Sequence, residues 1–278
     1  DATLLKSYKL PKVKYVGIDP TIKKYKKYYS KNIKIKSSLF NKNKYFSLSK
    51  RNKAKAITSI AMFYDVQNPN KFISDIHDIL HDNGVWVMEM YYMPILLKYN
   101  AYDSICHEHI TYLTYNHIEY LCKKNNLKIF KASLNEMNCG SIRYFICHKQ
   151  AKYKIENESI RNCKRFEKVL NTNKTYFDFK KRVNNLSKKL KILIKNLSKR
   201  KKTIHIYGAS TKGNVLIQYS NLNFRNISFA ADRNPLKWNK KMPGSNIPII
   251  SEKTSRLMKP DYYLVLPWHF KEDFVKRE

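Results

Sequence analysis

The sequence predicts an α/β protein with a Rossmann-like domain, a helical connector and a smaller Rossmann-like domain. Strand-like and helix-like segments alternate through residues 1–151, a pattern typical of a largely parallel sheet covered by helices. Residues 152–202 contain no glycine or proline, and their apolar residues recur at helical intervals. The alternation of strands and helices then resumes in residues 203–278. We therefore place the domain boundaries near residues 151 and 202.

The first domain is predicted to contain a buried strand in KVKYVGIDP and a second strand in AKAITSIAMFYDV. A helix should follow, with its apolar face formed by Phe72, Ile73, Ile76, Ile79 and Leu80. Asn83-Gly84 is expected to stop that helix. VWVMEMYYM predicts a third strand, NHIEYLCKKNNLKIFKASL predicts a helix and a strand, and SIRYFICHK predicts one more strand.

The connector should be helical, but a coiled coil is not favoured because its heptad pattern is not strict. In the last domain, KTIHIYGASTKGN predicts a strand, a glycine turn and a helix. NISFAADRNPLKW and DYYLVLPW predict two further strands. These turns are typical of a mononucleotide-binding half, and the final residues begin a helix.

The charge is strongly positive, with 55 Lys and Arg against 21 Asp and Glu and a net charge of +34. The lysines are spread along the whole chain, so we interpret them as solvated surface rather than a nucleic-acid footprint. No recognised nucleic-acid-binding module is present in the sequence. A basic cleft for a phosphorylated substrate is compatible with this composition.

The five cysteines are odd in number, scattered and free of any CxxC pair. They predict reduced thiols in a cytoplasmic protein rather than a disulfide scaffold or a zinc ribbon. No apolar run reaches the roughly 18 residues of a membrane span, and no signal peptide opens the sequence. We therefore expect neither a membrane nor a nucleic acid as partner.

Acidic residues follow three predicted strands of the first domain, where an open α/β sheet binds its ligands. They are Asp19, Asp65 and Glu89. Asp19 suits the two hydroxyls of a ribose, although a plain turn or helix-capping role is an equal alternative. Thr3-Leu4-Leu5 resembles the start of a helix whose glycine turn should lie just before it. We therefore expect a fragment that begins inside a cofactor loop.

The turn YGASTKGN of the last domain has Gly208 and Gly213 with Lys212 between them. It matches neither GxGxxG nor the Walker spacing. Glycines at a strand-to-helix turn nevertheless expose backbone N–H groups to an anion, and Lys212 adds positive charge. The alternative is a tight turn with a solvated lysine.

The ordered set of motifs resembles the nucleotide-sugar C-methyltransferases. The motifs are DATLL, GIDP, ITSIAMFYDV, EMYYM, YDSICHEHITYL, NCGSIR, IYGASTKGN, DRNPLKW and IPIISE. Together they span nearly the whole chain in the family's order. The resemblance implies a domain that uses S-adenosylmethionine, followed by a C-terminal α/β domain that binds the nucleotide sugar. It also implies methylation of a carbon beside the keto group of a deoxysugar.

The resemblance also implies roles for individual residues. The catalytic residues are His109, as the base, and Glu108 beside it. The cofactor-binding residues are Asp1, Thr3, Asp19, Ala61 and Met62. The substrate-binding residues are Cys106, His107, Tyr92, Arg143 and Lys212. Tyr91 and Tyr112 are further candidates for the sugar pocket, although each is better interpreted as packing.

The chain departs from the family pattern in several places. The family's N-terminal zinc-binding module and the Gly-rich half of its cofactor loop are missing from this sequence. Cys106 stands where many members have Tyr, Asp65 where many have His, and Cys139 where glycine is usual. These changes leave open which sugar is used and which atom is methylated.

The HEH stretch admits three interpretations. If the segment is extended, His107 and His109 point the same way, as metal ligands can, but no third ligand is evident and carbon methylation needs no metal. Polar loop residues without a catalytic role are the second interpretation. We favour general-base catalysis, because an imidazole titrates near neutral pH and a C–H beside a carbonyl is only weakly acidic. The resemblance implies that His109 is this base.

Other functions remain open at this stage. An O- or N-methyltransferase acting on a similar sugar is the nearest alternative. A nicotinamide-dependent sugar epimerase or reductase would fit the second α/β domain, but the sequence lacks GxGxxG and a YxxxK pair suited to hydride chemistry. A non-catalytic binding protein would fit the incomplete cofactor loop.

Overall fold

The protein is described from a computed structural model, which covers residues 2–8, 10–137, 140–266 and 271–276. The chain forms two compact units, each built from three segments. The first unit comprises residues 1–90, 113–135 and 142–165, and the second comprises residues 91–112, 136–141 and 166–278. The HEH stretch therefore belongs to the second unit, although it lies between elements of the first unit in sequence.

A small parallel sheet forms near the start of the first unit. The elements are helix α1 (Thr3–Ser7), strand β1 (Tyr15–Ile18), helix α2 (Ile22–Tyr25), strand β2 (Ile33–Lys36) and helix α3 (Lys42–Ser49). A Cβ atom added at Gly17 of β1 would lie 3.4 Å from the Leu5 side chain, so α1 packs directly on the strand. The prediction of a buried strand is only partly correct, because β1 is half-buried and Val13, before it, is exposed.

A four-stranded sheet in the order β3-β4-β6-β5 follows. The elements are β3 (Ala54–Ile60), α4 (Pro69–Ile79), β4 (Leu80–Tyr91), α5 (Met93–Tyr99, in the second unit), α6 (Tyr115–Lys124), β5 (Leu127–Asn135) and β6 (Ser141–His148). β3 and β4 are parallel, with Ile60 opposite Glu89. Their carboxyl ends therefore lie side by side.

Aromatic side chains form much of the core of the first unit. The Phe72 ring packs 4.9 Å from Phe40 and 5.5 Å from Phe63, and Phe63 lies 6.2 Å from Trp86. These centroid distances are typical of favourable tilted and edge-to-face pairs. The buried Trp86 indole donates a hydrogen bond to Ser59 Oγ at 3.0 Å, so its polar atom is satisfied.

The predicted end of α4 at Asn83-Gly84 is wrong. The helix ends at Ile79, and Leu80 already begins β4, where it is fully buried opposite Ala54. A Cβ atom at Gly84 would lie 2.8 Å from the Ala54 carbonyl oxygen. This glycine therefore allows two backbones to approach closely within the sheet rather than ending a helix.

Two α-helices, separated by a short 3₁₀ helix (Lys168–Asn171), occupy the predicted connector. They are α7 (Asn157–Glu167) and α8 (Asn173–Lys199). The buried residues of α8 are Val183, Ser187 and Ile194, which recur at helical spacing on one face. The connector is thus helical, as predicted.

The C-terminal part of the second unit is a parallel sheet in the order β10-β7-β8-β9. Its elements are β7 (Ile204–Tyr207), α9 (Thr211–Tyr219), β8 (Phe229–Asp232), β9 (Ile249–Ser251), α10 (Glu252–Leu257), β10 (Tyr262–Val265) and α11 (Lys271–Val275). This arrangement confirms the predicted second Rossmann-like fold. Among the residues that the structure describes, no helix has the length and apolar character needed to cross a membrane.

Candidate active site

The HEH stretch lies in a tight turn that follows α5. A short 3₁₀ helix, Tyr102–Ser104, leads into it, and the His109 amide donates to the Cys106 carbonyl at 3.1 Å. The premise of an extended segment is therefore wrong. His107 and Glu108 occupy the exposed corner of the turn, whereas His109 is half-buried. The two histidines do not repeat along a strand, so the geometric argument for a shared metal no longer applies.

The His109 imidazole is held by the backbone. Its Nδ1 lies 2.7 Å from the Ser104 carbonyl oxygen. A carbonyl can only accept, so Nδ1 must carry the proton that it donates. The neutral ring therefore has its lone pair on Nε2, and this is the tautomer that can take a proton from a substrate.

Two tyrosines accompany the imidazole. The Tyr91 ring lies 5.1 Å from His109, with 33° between the ring planes, and its hydroxyl donates to the Thr111 carbonyl at 2.9 Å. The Tyr112 hydroxyl donates to the Ser104 carbonyl at 3.3 Å. Burial and the nearby Cys106 raise the pKa of Tyr112, so this phenol stays protonated at neutral pH.

The other predicted substrate contacts of this region, Cys106 and Tyr92, differ in how exposed their side chains are. Cys106 is half-buried and adjoins Tyr112. Tyr92, by contrast, is fully buried, and its hydroxyl donates to Glu167 at 2.7 Å. In this conformation Tyr92 has no surface to offer a sugar, so its position is that of a packing residue.

Asp19 lies immediately after β1, as predicted, and is exposed. Its Oδ1 accepts hydrogen bonds from the Thr21 amide, at 2.7 Å, and from the Thr21 hydroxyl. The structure gives Oδ2 no hydrogen bond within the described residues. One oxygen therefore fixes the turn, while the other can accept further hydrogen bonds.

The other predicted cofactor residues lie at element ends. Thr3 is the first residue of α1, while Asp1 lies outside the described residues, as does Cys139. Ala61 and Met62 follow β3. Ala61 has a left-handed backbone with φ of 52°, and its amide donates to the Glu89 carbonyl at 2.8 Å. The carboxyl ends of β3 and β4 are therefore joined at this turn.

Arg143 is paired with Glu89. The Arg143 Nε donates to Glu89 Oε2 at 2.6 Å, and the Asn135 side-chain amide donates to the same oxygen at 3.0 Å. Glu89 is buried, with 5% of its surface exposed, whereas the Arg143 side chain is 44% exposed. The sequence identified Glu89 but missed Asn135, because no local pattern links an asparagine to a carboxylate 46 residues away.

The glycine turn of the second unit is fixed by Asp232, the acid at the end of β8. Asp232 Oδ2 accepts from the Ala209 amide and from Lys237 Nζ, both at 3.0 Å, and Oδ1 accepts from the Asn234 amide at 2.8 Å. Lys212 lies in the first turn of α9 and is half-buried. Within the described part of the chain, no group of three or more His, Cys, Asp or Glu side chains could hold a metal ion.

Solved structures share only a distant likeness with the chain. A complex of LepI with S-adenosylmethionine aligns with 52% of this chain and 39% of that chain, with a TM-score of 0.40 and 11% identity. LaPhzM aligns with 53% of this chain and 46% of that chain, with a TM-score of 0.39 and 9% identity. We draw no argument from similarity at this level.

A curated relative is the C-methyltransferase NovU of Streptomyces niveus. It is 28% identical to the chain over 214 residues, which cover 74% of this chain and 51% of NovU. The chain therefore spans about half the length of this relative.

Family models match both parts of the chain. The model of a methyltransferase domain matches residues 2–132, and the model of the C-methyltransferase C-terminal domain matches residues 136–278. The first match supports S-adenosylmethionine as the cofactor, as predicted. The resemblance seen in the sequence is confirmed: the chain belongs to the family that carries the C-methyltransferase C-terminal domain, here joined to a methyltransferase domain.

Proposed function

We propose that the protein is an S-adenosylmethionine-dependent C-methyltransferase that acts beside the keto group of a nucleotide-linked deoxysugar. Family membership supports the class of reaction. The observation that carries the mechanism is the 2.7 Å contact between His109 Nδ1 and the Ser104 carbonyl. It holds the tautomer in which Nε2 can accept a proton.

In this mechanism His109 Nε2 removes the proton from the carbon beside the keto group. The C–H bond electrons move into the carbonyl, giving an enolate, and the proton stays on Nε2. The resulting imidazolium keeps its Nδ1–H on the Ser104 carbonyl, so it carries its charge without breaking that bond. Glu108, exposed at the corner of the turn, is available for a sugar hydroxyl.

The cofactor would be held by residues of the first unit. Asp19 Oδ2 would accept hydrogen bonds from the ribose, while Oδ1 keeps its bonds to Thr21. Ala61, Met62 and Thr3 would contact the remainder of the cofactor. When bound, S-adenosylmethionine supplies an electrophilic methyl group on a sulfonium centre.

The substrate residues are proposed in two groups. Cys106 and His107 would contact the sugar, while Lys212 would attract the diphosphate, supported by the N-terminus of α9. Arg143 is a less direct candidate for the diphosphate because its Nε is bound to Glu89. Its other guanidinium nitrogens would have to make that contact.

The exchange of the sugar's α-proton with deuterated water tests the base directly. A panel of nucleotide-linked keto deoxysugars is incubated with the protein without cofactor, and deuterium uptake is measured by mass spectrometry. We expect uptake with the parent protein and a loss of about 10²–10⁴-fold in His109→Asn, which cannot take a proton at neutral pH. His107→Asn, at the exposed corner, should cost less. Exchange that survives in His109→Asn would reject His109 as the base.

The main alternative is an O- or N-methyltransferase acting on a related sugar, which Cys106 and Asp65 favour because both depart from the family pattern. That reaction forms no carbanion, so it would transfer a methyl group without α-proton exchange. A nicotinamide-dependent enzyme is disfavoured. In dinucleotide-binding folds an acid after the second strand binds a ribose hydroxyl, but Asp232 here accepts hydrogen bonds from Ala209, Asn234 and Lys237 instead.

A further inference from the structure

We propose that Tyr91 is a positioning residue for the base, and that its ring and hydroxyl together hold the loop and imidazole of His109 in the reactive orientation. The inference rests on the proposed function and assigns a second residue to the same site. It is carried by the arrangement of Tyr91, Ser104, His109 and Thr111, all of which belong to the second unit.

The Tyr91 ring adds to the support that the Ser104 bond gives the imidazole. A hydrogen bond by itself allows a histidine ring to tilt about its Cβ–Cγ bond, and a half-turn would replace Nδ1 by a carbon opposite the carbonyl. The Tyr91 ring lies against the imidazole at 5.1 Å and 33°. An aromatic face at this distance restricts the tilt, while the Ser104 carbonyl selects the nitrogen that faces it.

Tyr91 can serve as this support because it is itself fixed. It is the last residue of β4, and only 3% of its surface is exposed. Its hydroxyl donates to the Thr111 carbonyl at 2.9 Å, two residues beyond His109. The side chain therefore ties the end of a strand to the loop that carries the base.

The ring and the hydroxyl make separable contributions. Tyr91→Phe keeps the aromatic face and loses the bond to Thr111. Tyr91→Leu loses both, and if it does not fold, Tyr91→Met keeps the bulk without a planar ring. Tyr99→Leu is the matched control, because Tyr99 lies in the same unit, is 57% exposed and has no role in the site.

Two measurements test the inference. The first is the ¹⁵N spectrum of the neutral histidines, with His109 assigned by its absence in His109→Gln. We expect the Nδ1–H tautomer in the parent, in Tyr91→Phe and in Tyr99→Leu, and mixed tautomers in Tyr91→Leu. The second is α-proton exchange of the nucleotide sugar, where we expect Tyr91→Leu to lower kcat by about 10–10²-fold with little change in KM, as for a misplaced reacting group. Tyr91→Phe should recover part of that loss, because it keeps the ring face against the imidazole but not the hydrogen bond to Thr111.

The outcomes separate this inference from the function on which it rests. If Tyr91→Leu or Tyr91→Met keeps the single tautomer and the parent exchange rate, Tyr91 does not position the base. A loss that Tyr91→Phe does not recover would also overturn the role of the ring. If the parent protein exchanges no proton at all, the proposed function fails, while the ¹⁵N spectra alone still decide whether Tyr91 orients His109.

Discussion

Asp19 divides its two carboxylate oxygens between the fold and the candidate site. Oδ1 accepts the Thr21 amide and hydroxyl, which shapes the turn after β1. A side chain already fixed by its own turn loses little freedom when it binds a ligand, so the proposed contact between Oδ2 and a ribose would cost little conformational entropy.

We expect Asp19→Ala to weaken the binding of S-adenosylhomocysteine by about 1–3 kcal/mol, the value of hydrogen bonds to a charged group. Asp19→Asn separates the effect on ligand binding from the effect on the turn, because its amide oxygen can still accept the hydrogen bonds from Thr21. It should therefore also weaken binding without changing the melting temperature. Asp82→Ala, an exposed acid of the same unit, is the control for calorimetry. Equal affinities for all four proteins would reject the assignment.

His205 is a buried histidine whose ionisation affects the stability of the fold. It is 3% exposed, its Nδ1 lies 2.8 Å from Ser255 Oγ, and its ring packs against Phe229 and Tyr263. Burial lowers the pKa of His205, because a charged imidazole is poorly solvated there.

This lowered pKa gives a pH dependence whose sign is fixed. As the pH falls below about 6.5, His205 is protonated in the unfolded chain but stays neutral in the folded protein. The free energy of unfolding therefore decreases. Above that pH the stabilisation is complete. Urea unfolding at pH 7.5 and pH 5.5 should show a larger loss for the parent than for His205→Gln, since the other histidines contribute equally to both. Equal losses would show that His205 is not responsible.

At the scale of elements, Gly213 illustrates how a glycine inside a helix sets packing. A Cβ atom at this position would lie 2.6 Å from Leu266 Cβ and 2.9 Å from Ser210 Oγ. The absence of a side chain therefore lets α9 approach the segment after β10. Its backbone amide also donates a hydrogen bond at 3.0 Å to Oγ of Ser210, the N-terminal cap of α9.

Gly213→Ala should destabilise the protein by about 1–3 kcal/mol, the usual cost of overpacking, despite the better helix propensity of alanine. Thr211→Ala, at an exposed position of the same helix, is the control for introducing alanine without overpacking. Chemical denaturation of both variants gives the comparison. A stabilised Gly213→Ala would mean that Leu266 moves aside without strain.

Elements were predictable where periodicity carries the information. The amphipathic face of α4, the helical connector and the strand–turn–helix of β7 and α9 all follow from spacing. The end of α4 before Leu80 could not be predicted from spacing, because burial of Leu80 against Ala54 outweighs the stop signal of Asn83-Gly84. The turn at Cys106–His109 was also missed, since any backbone carbonyl can accept a hydrogen bond and no side-chain pattern shows which one does.

The whole molecule combines a strong positive charge with ion pairs that lie mainly at the surface. Pairs such as Lys53–Asp82 and Lys174–Asp178 are well exposed, so each contributes little to stability. The fold depends instead on its buried clusters, including the aromatic core around Trp86 and the aliphatic core around Ile206. The lysine excess is thus consistent with solvated surface, as interpreted from the sequence.

The proposed base, His109, lies in a segment, residues 91–112, that packs with elements made later in the chain. Arg182 of α8 donates to the Asn100 side chain at 2.7 Å, and the Tyr102 ring lies 5.5 Å from that of Tyr219 in α9. During synthesis on a ribosome, this segment emerges well before either partner. In the nascent protein, the loop that contains His109 therefore lacks these contacts until α9 has been made.

Proteolysis of a chain that ends at residue 151 tests whether residues 91–112 depend on these later contacts. We expect trypsin to cut this shortened chain after Lys98 far faster than it cuts the full chain. Equal cleavage would mean that the loop needs no later partner. The same dependence constrains recombination between relatives. A crossover between the two matched domains would replace the α8 and α9 partners of residues 91–112 while keeping that segment itself.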